Sequence, residues 1–374
     1  MKKQLIIGVS VAALTALALT GCSGGSSRGG SGSTSTSGAS SIPKGSTIGV
    51  SLPAKTSQNW VLAKAAFESA LAKDGFKADV QYAAATNTVP DQQNQISGMI
   101  TKGDKALIIA AQDGSQLGTQ VKQAKAAGIP VIAWDRNITG TANVDYYVAF
   151  NNYKVGQLQG QALLDGMKAR KASGPYDVEL FAGASTDANA PVFFDGAMSV
   201  LEPKIKDGTL KVLSGQTTFA QVNTAGWLAQ NAQSRMSNLL QKTYSGNQEL
   251  DGVLSPNDTL GRAIIQAIQQ DGKKVPIVTG QDSETASIPL IMNGTQYSTI
   301  YKNTNEEANA AVKLVKDLSD GKKATTVIDK KNNYNGVKTV PAVELTPILI
   351  TKENAVKAYV TDPTLEALAK AGAK

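Results

Sequence analysis

The sequence predicts an α/β protein built from two doubly wound lobes, and three observations carry the prediction. From about Ser46 onward, apolar runs of strand length alternate with stretches of helical periodicity. Some runs, such as Ala106 to Ala111, are almost unbroken, as parallel strands buried on both faces require. About ten such strands are expected, too many for one compact sheet, so two lobes are the natural division.

Ahead of that body lies a segment of another kind. Lys2 and Lys3 precede an apolar run from Leu5 to Leu19, the pattern of an export signal. The run is shorter than the ~20 residues of a membrane span. It ends in Leu19-Thr20-Gly21-Cys22, which resembles the lipobox of bacterial lipoproteins. That resemblance implies a diacylglyceryl group on the Cys22 thiol and cleavage before it. Residues 23–42 are Ser/Gly-rich, almost without apolar side chains, and read as a flexible tether. The folded part is then expected just outside a membrane, anchored by lipid.

In the body, Ile48 to Leu52 forms a first strand. Trp60, Ala63, Phe67, Ala70 and Leu71 follow at helical spacing. After the strand at 106–111, Leu117, Val121 and Ala124 mark a helix that stops at Gly128, with Pro130 beyond. Further strands are predicted at 131–134, 147–150, 177–181, 251–255, 275–280 and 297–302. The clearest later helical stripe is Leu260, Ala263, Ile264, Ala267 and Ile268.

Ligands of open α/β sheets sit beyond the carboxyl ends of the strands. Here those ends carry Asp135-Arg136, Asn151-Asn152, a loop with Asp187 and Asn189, Asn257-Asp258, Gln281-Asp282 and Lys302. Carboxylates and amides accept hydrogen bonds from hydroxyls, while Arg and Lys donate to hydroxyl and ring oxygens. The set suits a neutral polyhydroxylated ligand. Asn and Asp in such places also cap helices, so Asn151, Asp187 or Asp258 alone is weak evidence. Arg136 has no capping role and is stronger. Each of Trp60, Trp134 and Trp227 is more readily a core residue than a site residue, since large aromatics mostly pack.

Composition removes several function classes. The chain has 37 Lys+Arg against 30 Asp+Glu, a net charge of +7, and losing Lys2 and Lys3 leaves +5. The basic doublets are scattered and not interleaved with aromatics, so no nucleic-acid partner is expected. There is no histidine, which removes His-based acid–base catalysis and most transition-metal sites. Cys22 is the only cysteine, so no internal disulfide can form. No G-x-G-x-x-G fingerprint, P-loop or Ca²⁺ loop is present, and no metal or cofactor is expected.

The ordered series of strand-end residues resembles type I periplasmic sugar-binding proteins, particularly the multiple-sugar-binding and xylose-binding kinds. It runs through Trp134-Asp135-Arg136, Phe150-Asn151-Asn152, Asp187-Ala188-Asn189-Ala190, Ser255-Pro256-Asn257-Asp258, Gly280-Gln281-Asp282, Gln296 to Lys302 and Asn335-Gly336-Val337-Lys338. The resemblance covers residues 46–362. It implies two Rossmann-like lobes joined by three crossovers, with the sugar between them. It carries sugar contacts onto Asp135, Arg136, Asn189, Trp227, Asn257, Asp282 and Lys302, with Asn152 a weaker case. Trp227 enters through the resemblance alone, as a flat apolar face for a pyranose ring. Two departures stand out: Asn59 where the family often has Arg, and Ala188 beside the retained Asn189.

The domain expectation is a signal at 1–22, a tether at 23–42, one lobe of 43–151 plus 303–335, and a second of 152–302 plus 336–374. The functional expectation is a monomeric, non-enzymatic binding protein that hands a pentose or hexose to the permease and ATPase of an ABC importer, in a cell with one membrane. A receptor presenting sugar or autoinducer to a membrane sensor is the alternative. A glycosidase would use Asp135 and Asp282, but Arg136 and Lys302 are expected to keep both ionised.

Overall fold

The computed structural model describes residues 42–86 and 88–373. The expected export signal, Cys22 and the tether up to residue 41 lie outside the described residues, while Ile42, expected to end the tether, is buried in the first core.

The first lobe is organised on β1 (Thr47–Leu52), β2 (Lys77–Tyr82), β3 (Leu107–Ile109), β4 (Val131–Trp134) and β5 (Tyr146–Phe150). The second follows with β6 (Tyr176–Leu180), β7 (Leu210–Lys211), β8 (Gly252–Leu254), β9 (Ile277–Val278) and β10 (Thr299–Tyr301). Two more strands, β11 (Ala342–Leu345) and β12 (Ile348–Ile350), come near the C-terminus. The larger sheet is parallel, in the order β11-β5-β4-β3-β1-β2, and the smaller parallel sheet is β7-β6-β8-β9.

Both faces of the larger sheet are covered, as the unbroken apolar runs demanded. Ile48, Val50, Ile108 and Ile132 face the helices Gln58–Lys73 and Thr304–Ser319, meeting Phe67, Leu71, Ala311 and Val315. Leu107, Ile109, Val131 and Tyr147 point the other way, onto Ile96, Met99 and Val121. The second sheet repeats the plan. Val178 and Leu180 pack on Leu163 and Met167 of the helix Asn152–Arg170, and Val253 and Val278 on Leu260 and Ile264 of the helix Asp258–Gln270.

The chain passes between lobes three times: after β5, after β10 and after β11. The third passage corrects the expected boundary at 335/336. Residues 342–345 continue the first sheet by pairing in parallel with β5, because Ala342 and Val343 bury against its two cores. The run 297–302 is also corrected, since β10 leaves the parallel sheet and pairs antiparallel with β12. The strand expected at 275–280 is limited to Ile277–Val278.

Candidate functional site: a polar cavity between the lobes

The carboxyl ends of both sheets face each other, and a polar cavity lies between them. Its walls include Asp135 and Arg136 after β4, Asn59 and Trp60 on the first helix, and Asp187, Asn189, Phe193, Trp227, Asn257, Gln281, Asp282 and Lys302 from the second lobe and its crossover. Eight of the nine expected ligand residues are thereby brought together: Asn59, Asp135, Arg136, Asn189, Trp227, Asn257, Asp282 and Lys302. Asn152 is the exception and is corrected. It is buried behind the wall, where its side chain donates to Tyr147 Oη (3.0 Å) and its backbone N–H donates to Asn332 Oδ1 (2.8 Å).

Asp135 sits at the end of β4 with φ 55°, a left-handed conformation that costs a non-glycine residue about 1–2 kcal/mol. Partners from both lobes hold it. Its N–H donates to Val148 O (2.9 Å), while its carbonyl accepts from Tyr147 Oη (2.6 Å) and from Asn189 Nδ2 (2.7 Å) across the cleft. Arg136 lies over the Trp60 ring at 5.0 Å and pairs through Nε with Asp187 Oδ2 of the opposite lobe (3.2 Å). Asp187 also accepts from Asn189 N (2.9 Å) and Trp227 Nε1 (3.1 Å), which ties the indole into the polar wall. The Trp227 ring lies so close to Gly183 that a Cβ there would stand 2.0 Å from it. Any side chain at 183 would displace the ring.

On the second lobe, Asp282 also has a left-handed backbone, with φ 91°, and its Oδ1 pairs with Lys302 Nζ at 3.0 Å. Lys302 is 3.9 Å from Asp135 Oδ2 as well, so one ammonium spans the two Asp-bearing turns. Asn257 caps the helix Asp258–Gln270 by accepting from Leu260 N (3.0 Å) while forming part of the wall. It is both cap and wall. Asn59 Oδ1 is engaged by Ser57 Oγ.

Three carboxylates and two cations share this wall. Burial raises the Asp135 carboxyl above its ordinary value, even though Lys302 and Arg136 pull it down. Desolvation is the larger effect on Asp135, and the pull of the two cations the smaller. Burial disfavours the Lys302 charge, but Asp282, Asp135 and Glu307 outweigh it and raise the pKa. Behind Lys302, the buried Glu307 carboxyl is pushed well up by desolvation and then by the Asp135 charge.

Sequence reasoning missed Phe193 as a wall residue and Glu307 behind the wall, it favoured a core role for Trp60, and it placed Gln281 at a strand end without carrying it into the ligand set. Phe193 stands one helical turn after Asn189, and that i, i+4 spacing was the available signal. Trp60 serves both purposes, being packed edge-on to Trp134 in the core while forming part of the cavity.

Fold and site together define a two-lobed solute-binding protein. The chain belongs to the family whose model, described as "Periplasmic binding protein domain", matches residues 48–323. It is similar to the multiple sugar-binding periplasmic receptor ChvE of Rhizobium radiobacter, 43% identical over 84% of this chain and 89% of the relative. The D-xylose-binding periplasmic protein of Escherichia coli is 34% identical over 84% of this chain and 89% of its own length. Among solved structures, an ABC transporter solute-binding protein from Clostridium phytofermentans with bound β-D-glucose superposes with a TM-score of 0.80. It is 36% identical and covers 85% of this chain and 98% of its own.

Proposed function

We propose that this protein captures a neutral monosaccharide, a pentose or hexose, between its lobes outside the cytoplasmic membrane, and delivers it to an ABC importer. The observation that carries the reading is the convergence of Asp135, Arg136, Asn257, Asp282 and Lys302 from both lobes on one cavity. Acceptors outnumber cations on that wall, which favours hydroxyl donors over phosphate or carboxylate ligands. Trp227 offers an apolar face, and the surrounding polar groups read hydroxyl orientation. The similarity to sugar receptors and to glucose-bound structures supports the same ligand class. A ligand touching both lobes stabilises their closed arrangement, and this arrangement is what a permease would recognise. The sugar is released chemically unchanged.

Lipid anchoring through Cys22 completes the reading and rests on the Leu19-Thr20-Gly21-Cys22 sequence. Metabolic labelling with an alkyne fatty acid should mark the wild-type chain and not Cys22→Ser. Label on both would remove the anchor from the account. For the ligand, thermal unfolding is followed against a panel of pentoses, hexoses and disaccharides. A sugar at a hundred times its Kd should add ~2.7 kcal/mol, raising the midpoint by several degrees, and Asp135→Ala should remove the shift. Shifts that survive in Asp135→Ala would contradict the site.

A further inference from the structure

Asp258 follows Asn257 but forms no part of the cavity wall. Its side chain is fully buried behind the turn that carries Asp282. Three donors converge on it: Gln296 Nε2 on Oδ1 (2.7 Å), and both Glu284 N (2.9 Å) and Thr299 Oγ1 (3.0 Å) on Oδ2. Thr299 Oγ1 in turn accepts from Ser283 N (3.1 Å), and Asp258 N donates to Gln281 O (3.0 Å). Every residue from Gln281 to Glu284 except Asp282 itself is thus tied to Asp258 directly or through one hydroxyl. The tied turn is the strained one, with φ 91° at Asp282 and 50° at Ser283. The approach is close enough that a Cβ on Gly280 would stand 2.1 Å from Asp258 Oδ1. Burial and the nearby Glu284 push the Asp258 carboxyl well above its ordinary value, so the carboxylate is held there at a cost that the donors offset.

We propose that Asp258 is a positioning residue: it clamps the left-handed Asp282–Ser283 turn so that the Asp282 carboxylate is already aimed at the cavity and at Lys302 before sugar arrives. The role deepens the sugar-binding reading and rests on it for its consequence. A buried acceptor holding several donors fixes the turn without needing the opposite lobe. Asp282 therefore keeps its direction in a lobe standing open.

The test uses the full chain as wild type, Asp258→Asn, Asp258→Ala, Gly280→Ala and, as a destabilised control away from the turn, Ile264→Val. Amide hydrogen exchange is read at Ser283 and Glu284 without sugar, and affinities for D-glucose and its epimer D-galactose are measured by calorimetry. Asp258→Ala and Gly280→Ala should lose protection at both amides, weaken binding by roughly tenfold or more, and change the glucose-to-galactose ratio. Asp258→Asn, which keeps the shape and one acceptor, should lie between them and wild type. Ile264→Val should lower the melting temperature and leave exchange at the turn and the ratio unchanged. Retained protection in both Asp258→Ala and Gly280→Ala, or affinity within twofold of wild type, overturns the proposal. Should the wild type bind neither sugar, the functional reading is what suffers, and amide exchange alone decides the clamp: lost protection supports it and retained protection overturns it.

Discussion

The Asp135 turn and the Asp282 turn look alike and are held differently. Each places an Asp in left-handed backbone at the cavity, and Lys302 approaches both. The Asp282 turn is fastened within its own lobe by Asp258 and Thr299. The Asp135 turn takes part of its support from Asn189 across the cleft. One side of the site is built in advance, and the other is completed only when the lobes meet. A binding protein that must release its cargo has reason to keep one face permanent and the other conditional on closure.

The largest effect should come from the group common to both turns. Lys302→Met leaves two buried carboxylates without their cation. It should abolish sugar binding and lower stability by roughly 3 kcal/mol, read by calorimetric titration and denaturant unfolding. Unchanged stability would mean the carboxylates are not coupled through Lys302.

Next come the separate turns. Asn189→Ala removes the cross-cleft donor to the Asp135 carbonyl. Affinity should fall by about 1–2 kcal/mol, evenly for every sugar bound, and the ligand-free molecule should scatter X-rays as a more open particle. A selective loss for one sugar would instead make Asn189 a reader of hydroxyls. It would also blur the contrast with the Asp282 side.

Acidity should separate the turns again. Burial raises the Asp135 pKa above the ordinary 3.8, so this carboxyl takes up a proton earlier than a free Asp as pH falls. Between those values the folded chain holds more protons at this group than the unfolded chain, and its contribution to stability grows as pH falls. Affinity should move the opposite way, because a protonated Asp135 accepts fewer hydrogen bonds. Titrations carried downward in pH from neutrality should show weakening in the wild type and a flatter profile in Asp135→Asn. Equal slopes would assign the titration to another group.

The smallest effect is expected at the cleft rim. Gln58 Oε1 accepts from Thr285 N (2.8 Å) and Thr285 Oγ1 (3.0 Å), joining the lobes beside the cavity. Gln58→Ala should cost less than about 1 kcal/mol and appear mainly as faster sugar release in stopped flow.

Much of this was legible in the sequence because open α/β sheets oblige ligand groups to follow strands. Asp135-Arg136, Asn257, Asp282 and Lys302 could be found by reading past each apolar run. Edge strands were harder. Lys77 to Tyr82 alternates polar and apolar residues because β2 has one open side, and β7 is only two residues long. Asn152 was over-read because its neighbour Asn151 also follows β5, and adjacent residues at a helix start face different ways. There Asn151 caps the helix and Asn152 turns into the core. Trp60 and Phe193 belong to helical stripes that look the same whether they cover a sheet or line a cavity. Glu307 was invisible for a related reason, since acidic residues in a helix's first turn ordinarily need no ligand to explain them.

The central claim is that a neutral sugar binds where the two Asp-bearing turns meet. Its most direct test is isothermal titration of the wild type, Asp135→Ala and Asp282→Ala with D-glucose, D-xylose, D-galactose and L-arabinose. The account predicts one-to-one binding of at least one of these sugars by the wild type, lost in both variants. Heats absent for all four sugars, or binding that survives in both variants, would contradict it.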